Sequence, residues 1–318
     1  MPPESGGVLF VHAHPDDESV ATGGTIARLV DEGVRVDLVT CTDGAEGEVH
    51  DPDLDADEAR PRLAAIRREE LACSVAALGD GAIRHHVLGY RDSGMVGTDA
   101  NAHPHAFWQA DLDEATGRLV EIVRGARPVV IVSYDSNGNY GHPDHINAHR
   151  IARAAFDGVN AVDRFYEIAF NREAWFGLMT EMKERGIKLP WDLDAELEGR
   201  EAEDLNPTNV EAVRQASDEL EAGKAPAEFG TPDAQVTTRV DVAAFADRKR
   251  RSMECHRTQR QDMGWLLDLP DDLAARAIAT EWFVLTSRRS APVPDGYREG
   301  SLLASKRDLA RAVGRKQG

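Results

Sequence analysis

Short apolar runs alternate with longer amphipathic stretches over the first half of the chain, and this alternation predicts strands and helices in turn. The predicted strands are residues 8–11, 34–40, 83–88 and 129–133, and the predicted helices lie near 22–32, 60–79 and 111–126. The run at 129–133 is almost purely apolar, which is typical of a parallel strand covered on both faces. Repeated β-then-α units predict an α/β fold, a Rossmann-like, mostly parallel sheet with helices on both faces.

The second half of the chain is more polar, and its pattern predicts further elements that follow the α/β core. Four acidic residues fall between Glu198 and Asp204, within a variable, acidic helical insertion. Alternating valines at 236, 240 and 242 predict a late strand, followed by a helix near 243–256 and a last strand near 282–286. We therefore divide the chain into an α/β core at 1–170, the insertion at 171–234, a smaller C-terminal α+β portion at 235–290 that completes the fold, and a basic tail at 291–318.

The charge and cysteine content narrow the range of partners and compartments. The 37 basic residues against 56 acidic ones give a formal charge of −19, which repels nucleic acid and anionic membranes. No apolar run is long enough to span a bilayer, and the first seven residues lack the features of a signal peptide. Cys41, Cys73 and Cys255 are odd in number and widely spaced. We therefore expect a cytoplasmic protein with reduced, buried thiols.

The segment HAHPDDE at residues 12–18 concentrates metal-ligand side chains directly after the first predicted strand. Functional groups of open α/β sheets gather at the carboxyl ends of strands. Pro15 disfavours helix at His14, so the chain turns there. An Asp that caps the following helix is the structural alternative, but a cap needs one carboxylate, and this segment offers two imidazoles and three carboxylates.

A second polar cluster, YDSNGNYGHPDH at residues 134–145, follows the apolar run at 129–133. His142 and His145 share a face if this segment is helical. Exposed histidines on a capped helix are the structural alternative. In a parallel sheet the two clusters would lie at the same edge, where two histidines and a carboxylate suffice for a catalytic zinc with one open position. The same ligand types could hold Fe²⁺.

These motifs resemble those of the LmbE-like (PIG-L) deacetylase family. The resemblance rests on AHPDDE at 13–18 and HPDH at 142–145, and weaker likenesses support it at 40–48, 91–95, 237–241 and 256–259. Members of the family are zinc-dependent amide hydrolases that remove an acyl group, often acetyl, from an amino sugar or a related small molecule. The resemblance therefore implies that this chain is an N-deacetylase.

The resemblance also implies a role for individual residues. One Zn²⁺ per chain would be bound by His14, Asp17 and His145. The implied catalytic groups are Asp16 as general base, His142 as acid or electrostatic partner, Tyr140 as a group that polarises the carbonyl, and Asp144 as the group that orients a histidine. The implied substrate contacts are Arg68, Asp92, Glu46 and His256.

The identity of the substrate stays open. The segments at 12–19 and 91–95 resemble the mycothiol branch of the family, which implies either a deacetylase of N-acetylglucosaminyl-inositol or an amidase of mycothiol S-conjugates. A tailoring deacetylase of secondary metabolism is a further alternative, because residues 171–234, which we expect to shape the substrate pocket, match neither enzyme.

Other classes of protein fit the sequence less well. A catalytically inactive, metal-dependent sugar-binding protein is the non-enzyme alternative, but binding alone would not require both Asp16 and His142. The chain lacks the G-x-G-x-x-G turn of a nucleotide-binding oxidoreductase and the G-x-S-x-G motif of a serine hydrolase. The sequence leaves open whether the chain forms a homo-oligomer.

Overall fold

The computed structural model describes residues 6–187 and 230–303. Of these, residues 6–168 and 237–303 belong to one compact unit, and residues 169–187 and 230–236 belong to a second. The acidic run from Glu198 to Asp204 lies outside the described residues, as do most of the expected insertion and most of the expected basic tail. No helix in the described ranges is both long enough and apolar enough to cross a bilayer.

A mostly parallel sheet forms the centre of the larger unit. Its described strands are β1 (Gly7–His12), β2 (Val36–Thr42), β3 (Ile83–Tyr90), β4 (Pro128–Ser133), β5 (Arg164–Ala169), β6 (Thr238–Asp241) and β7 (Thr280–Arg288). The spatial order is β3-β2-β1-β4-β5-β7-β6. Neighbouring strands from β3 to β5 run parallel, whereas β6 and β7 are antiparallel. The predicted α/β class and parallel sheet are therefore confirmed.

Helices connect the strands in the way the periodicity predicts. The described helices are α1 (Asp17–Ala21), α2 (Gly23–Asp31), α3 (Ala56–Ala59), α4 (Leu63–Gly79), α5 (Leu112–Ala126), α6 (Gly138–Gly141), α7 (Pro143–Gly158), α8 (Arg172–Glu184), α9 (Ala246–Cys255), α10 (Arg260–Leu267) and α11 (Asp271–Ala277). Helices α2, α4 and α9 pack against one another, and α5 packs against α7. Every residue of β1 and β2 is buried, as is usual for central parallel strands.

The C-terminal strand β7 is joined to the helix that follows the HAHPDDE segment. The buried carboxylate of Glu281 accepts hydrogen bonds from the backbone N–H groups of Gly24 at 2.9 Å and Thr25 at 2.7 Å, in the first turn of α2. Lys249 of α9 donates to the same carboxylate at 2.7 Å. Because the first N–H groups of a helix have no partner within it, Glu281 satisfies donors that would otherwise be buried unpaired.

The cysteines differ from the sequence-based expectation. Cys73 of α4 and Cys255 of α9 form a disulfide, with their Cα atoms 5.7 Å apart, whereas Cys41 is free and buried. The prediction of three reduced thiols was therefore wrong. The two bonded cysteines are 182 positions apart in sequence, and they meet because α4 and α9 pack side by side.

Candidate active site

The two polar clusters meet at the carboxyl edge of the sheet. The loop after β1 carries His14, and the loop after β4 leads through α6 to His142, the N-cap of α7. Strands β1 and β4 are neighbours, and β1 lies where the strand order reverses. Open α/β sheets bind ligands in the crevice at such a point. The topology therefore explains why segments about 125 positions apart converge.

Side chains of His14, Asp17 and His145 come together at the centre of this crevice. His14 Nδ1 lies 3.2 Å from His145 Nε2 and 3.5 Å from Asp17 Oδ2, and His145 Nε2 lies 3.4 Å from Asp17 Oδ1. Zinc bonds of about 2.0–2.1 Å in tetrahedral geometry separate their ligand atoms by about 3.4 Å. The distance between the two nitrogens and the distance from each nitrogen to an oxygen of Asp17 are close to this value, and the residues are the three that the family resemblance implies as ligands.

The other nitrogen of His14 faces a buried carboxylate. His14 Nε2 lies 3.2 Å from Asp144 Oδ2, and Asp144 accepts hydrogen bonds from the backbone N–H of Ser93 at 2.9 Å and from its hydroxyl. Asp92 Oδ1 lies 3.5 Å from the same His14 nitrogen. A carboxylate in this position fixes the orientation of a metal-binding histidine and raises its basicity. The orienting role expected of Asp144 stays a prediction, which this contact with His14 supports.

Two groups of donor atoms among the described residues could hold a metal ion, each with its atoms within 4.8 Å of one another. One combines His14 with Asp92 and Asp144, and the other combines His14 with His142 and His145. In the first group both Asp144 oxygens already accept hydrogen bonds from Ser93. The set of His14, Asp17 and His145 is the one that the family resemblance implies, and two imidazoles with one carboxylate are a donor set found in catalytic zinc sites.

Tyr134, which the sequence did not single out, holds Asp17 in place. Its hydroxyl donates to Asp17 Oδ2 at 2.7 Å and accepts from the backbone N–H of Ala13 at 2.8 Å. Its ring stacks on His145 with the centroids 4.1 Å apart. The backbone N–H of His14 also donates to Asp17 Oδ2 at 2.7 Å. Because Oδ2 is engaged in this way, Oδ1 is the oxygen that would bind a metal ion.

The electrostatics of the crevice suit a cation. Burial lowers the pKa of His142 to about 3 and that of His145 to about 4, so both rings are neutral near pH 7. Burial alone would raise the pKa of Asp17, but His145 and His14 lower it well below its usual range. Burial opposes protonation of His14, but Asp92, Asp144 and Asp17 raise its pKa well above the usual value. A metal ion would therefore displace a proton from His14, since histidine binds divalent metals in its neutral form.

Asp16 lies beside the ligands in an unusual backbone conformation. Its φ of 137° is in the region that favours glycine, and a residue with a side chain is held there only by its surroundings. Its carboxylate accepts a hydrogen bond from Arg67 Nη2 at 2.9 Å. Burial, with the charge of Asp17, raises the pKa of Asp16 to about 7 despite the opposing effect of Arg67. A pKa near neutrality is suited to general-base catalysis.

Arg67, and not Arg68, is the arginine at the site. Arg67 is 2% exposed and also donates to the backbone oxygens of Pro15 and Gly44. Arg68 is exposed on α4. The expectation of a substrate contact at Arg68 is therefore corrected, because adjacent helix positions point about 100° apart.

The remaining expected contacts divide between the crevice and the interior. Tyr140 is 56% exposed, with its ring centroid 4.9 Å from that of His145. Glu46 forms an ion pair with Arg91, and its backbone N–H donates to Asp92 Oδ2 at 3.2 Å. His256 is 1% exposed and bonded to Glu18. His256 therefore supports the HAHPDDE segment from the protein interior, which corrects the expectation that His256 contacts substrate.

Fold and site together define an α/β enzyme with a candidate metal centre at the carboxyl edge of its sheet. The family model described as "PIG-L: GlcNAc-PI de-N-acetylase" matches residues 9–156. The 1D-myo-inositol 2-acetamido-2-deoxy-alpha-D-glucopyranoside deacetylase of Acidothermus cellulolyticus is 42% identical over 93% of this chain and 94% of its own length. The enzyme of the same name from Thermobifida fusca is 40% identical, over 91% and 96%.

A solved structure agrees with these relationships at the level of the fold. GalB, the 4-carboxy-2-hydroxymuconate hydratase of Pseudomonas putida KT2440, superimposes with a TM-score of 0.50 at 16% identity, covering 91% of this chain and 98% of the other. This likeness concerns the fold alone. The full-length sequence relatives decide the family: the chain belongs to the GlcNAc-PI de-N-acetylase (PIG-L) family, and it is an amide-hydrolysing enzyme.

Proposed function

We propose that the chain removes the acetyl group from the amide nitrogen of 1D-myo-inositol 2-acetamido-2-deoxy-α-D-glucopyranoside, with one Zn²⁺ per chain. The relatives named for this reaction align over nine-tenths of the chain, which supports the choice of substrate. The observation that carries the proposed chemistry is local. His14 Nδ1 and His145 Nε2 lie 3.2 Å apart, and each is within 3.5 Å of one oxygen of Asp17, beside the Asp16 carboxylate, whose pKa is about 7.

Hydrolysis of an amide needs an activated nucleophile and a proton for a poor leaving group. Zn²⁺ held by His14, Asp17 and His145 would supply Lewis acidity and lower the pKa of water to about 7. Asp16 would accept the proton of the attacking water. General-base catalysis of this kind contributes about 10²–10⁴-fold. Arg67 keeps the Asp16 carboxylate in place by its hydrogen bond of 2.9 Å.

His142 would stabilise the negative charge that develops on the carbonyl oxygen, and the proton that Asp16 takes from water would pass to the departing nitrogen. Its Nδ1 accepts a hydrogen bond from the backbone N–H of Asp144 at 3.1 Å. The neutral ring therefore carries its proton on Nε2, which makes Nε2 a donor. Tyr140, whose ring lies 6.1 Å from that of His142, would add a second donor toward the carbonyl oxygen. Preorganised donors of this kind stabilise the negative charge that develops in acyl transfer.

The test is release of primary amine by the zinc-loaded protein from a panel of substrates. The panel contains N-acetylglucosaminyl-inositol, simple N-acetyl amino sugars and a mycothiol-type S-conjugate. We expect release from the inositol glycoside, and its loss in Asp16→Asn with zinc still bound. Release from the conjugate alone would identify a conjugate amidase instead. Silence across the panel by a zinc-loaded protein would contradict the proposal and point to a specialised metabolite.

A further inference from the structure

Glu18 ends the HAHPDDE segment but does not face the metal site. Its side chain is fully buried, with 0% exposed. Oε2 accepts a hydrogen bond from the backbone N–H of Asp16 at 3.0 Å. Oε1 accepts from His256 Nε2 at 2.8 Å and from the Ser74 hydroxyl. With both oxygens engaged inside the protein, Glu18 is neither a metal ligand nor a substrate contact.

The group that Glu18 holds is the peptide bond before the candidate general base. Arg67 Nη2 donates to the carbonyl oxygen of Pro15 at 2.6 Å, and Glu18 accepts from the N–H of Asp16 at the other end of the same peptide. This peptide precedes a residue with φ of 137°. A backbone in that region relaxes unless it is anchored. Glu18 and Arg67 are therefore the two anchors that aim the Asp16 side chain.

Glu18 is itself held by residues from two helices. His256, 1% exposed, directly follows α9, and Ser74 belongs to α4. The Ser74 hydroxyl also lies 2.6 Å from that of Ser252 in α9. A buried carboxylate is tolerated only when donors satisfy it, and His256 is the one ring among its donors. Removing the ring would free Glu18 to turn away from the peptide.

We propose that Glu18 and His256 form a positioning pair that holds the Pro15–Asp16 peptide and so fixes the Asp16 carboxylate for proton transfer. This inference rests on the function proposed above. The pair acts through Asp16 and not through the metal ion, so it affects turnover and leaves metal binding and substrate binding in place.

The first test is Glu18→Gln, which keeps the size of the side chain but replaces one acceptor oxygen with an amide NH₂. We expect kcat to fall about 10–100-fold, because a misplacement near 1 Å costs about 10²-fold. KM should stay within about twofold of the wild-type value, since the substrate contacts are unchanged. Zinc content should remain one per chain.

The matched control is Glu70→Gln. Glu70, on α4, is also a buried carboxylate, and it accepts from the backbone N–H and the hydroxyl of Thr258, both at 2.7 Å. It thus holds the segment after His256, but no hydrogen bond joins it to residues 14–18 among the contacts of the described chain. We expect wild-type kcat from this variant. A loss as large as that of Glu18→Gln would show a general loosening of the segment and overturn the proposal.

A double-mutant cycle tests whether the two residues act as one unit. His256→Phe removes the donor, whereas His256→Gln keeps one and should recover most of the lost kcat. If the two residues act as a pair, the double variant Glu18→Gln/His256→Phe should have the same kcat as Glu18→Gln alone. Losses that multiply, or a loss of zinc in step with kcat, would contradict the assignment.

A readout without substrate keeps the pair testable if the panel assay fails. In hydrogen-exchange mass spectrometry, the peptide that spans residues 13–19 should exchange faster in Glu18→Gln and His256→Phe than in the wild type or Glu70→Gln. Equal protection in all four proteins would refute the pair. A wild type that releases no amine, with exchange as expected here, would refute the proposed function alone.

Discussion

The Cys73–Cys255 disulfide closes a loop of 182 residues, and its removal should destabilise the larger unit. A cross-link restricts the unfolded chain, and the loop-entropy relation gives about 5 kcal/mol at 25 °C for a loop of this length, an upper value because engineered and natural disulfides often deliver less. With roughly 2 °C lost per kcal/mol in a chain of this size, the melting temperature should fall by up to about 10 °C.

The assay compares the wild type with Cys73→Ser/Cys255→Ser in calorimetry, each with and without a phosphine reductant that does not compete for zinc. The reductant should lower the melting temperature of the wild type to that of the double variant and leave the double variant unchanged. Cys41→Ala is the matched control, because Cys41 is the free cysteine. It should lose one thiol and keep the full response to the reductant.

Two results would refute this reasoning. Oxidised wild-type protein, unfolded and alkylated, should expose one thiol per chain, so three alkylated cysteines would mean that the disulfide does not form. Identical melting temperatures for the oxidised wild type and the double variant would mean that the cross-link does not restrict the unfolded chain. The first outcome would also restore the sequence-based expectation of reduced cysteines.

Further predictions concern the site and its surroundings. Asp16→Asn should keep zinc and lose about 10²–10⁴-fold in amine release, whereas Asp17→Ala should lose zinc; equal metal content in the two would reverse their assigned roles. Arg67→Gln should lower kcat while Arg68→Gln, on the exposed side of α4, should not, and equal effects would refute the corrected assignment. Burial raises the pKa of Glu167 to about 7. Ionisation of Glu167 therefore destabilises the folded protein at pH values above the usual pKa of a glutamate. Glu167→Gln should therefore raise stability by about 1 kcal/mol near pH 8 and not near pH 4, and a pH-independent effect would contradict this.

The sequence predicts most of the fold because β1, β2 and β4 are largely apolar runs and because α2 and α5 are amphipathic. The strands at both edges of the metal crevice, β1 and β4, are of this kind. By contrast β5, with the sequence RFYEIA, carries charged residues at its start and near its end and was not predicted. Its burial depends on neighbouring elements, which no local pattern encodes.

The candidate site was predicted as far as the motifs extend. His14, Asp17 and His145 converge because the topology brings the ends of β1 and β4 together. Arg67 could have been separated from Arg68 by helical periodicity, since it lies four positions from both Leu63 and Leu71, which are buried. The role of Glu18 could not have been found in this way, because its partner His256 lies directly after α9, more than two hundred positions later.

The contact between Glu281 of β7 and the first turn of α2 has a consequence for how the chain folds during synthesis. The HAHPDDE segment leaves the ribosome early. Two residues that support it are synthesised more than two hundred residues later: Glu281, which accepts hydrogen bonds from the first turn of α2, and His256, which holds Glu18. Domains fold as units during synthesis, and here the unit is complete only after β7 has emerged. The nascent chain therefore carries its metal ligands through most of translation without the contacts that order them, and native metal binding follows synthesis of the C-terminal strands.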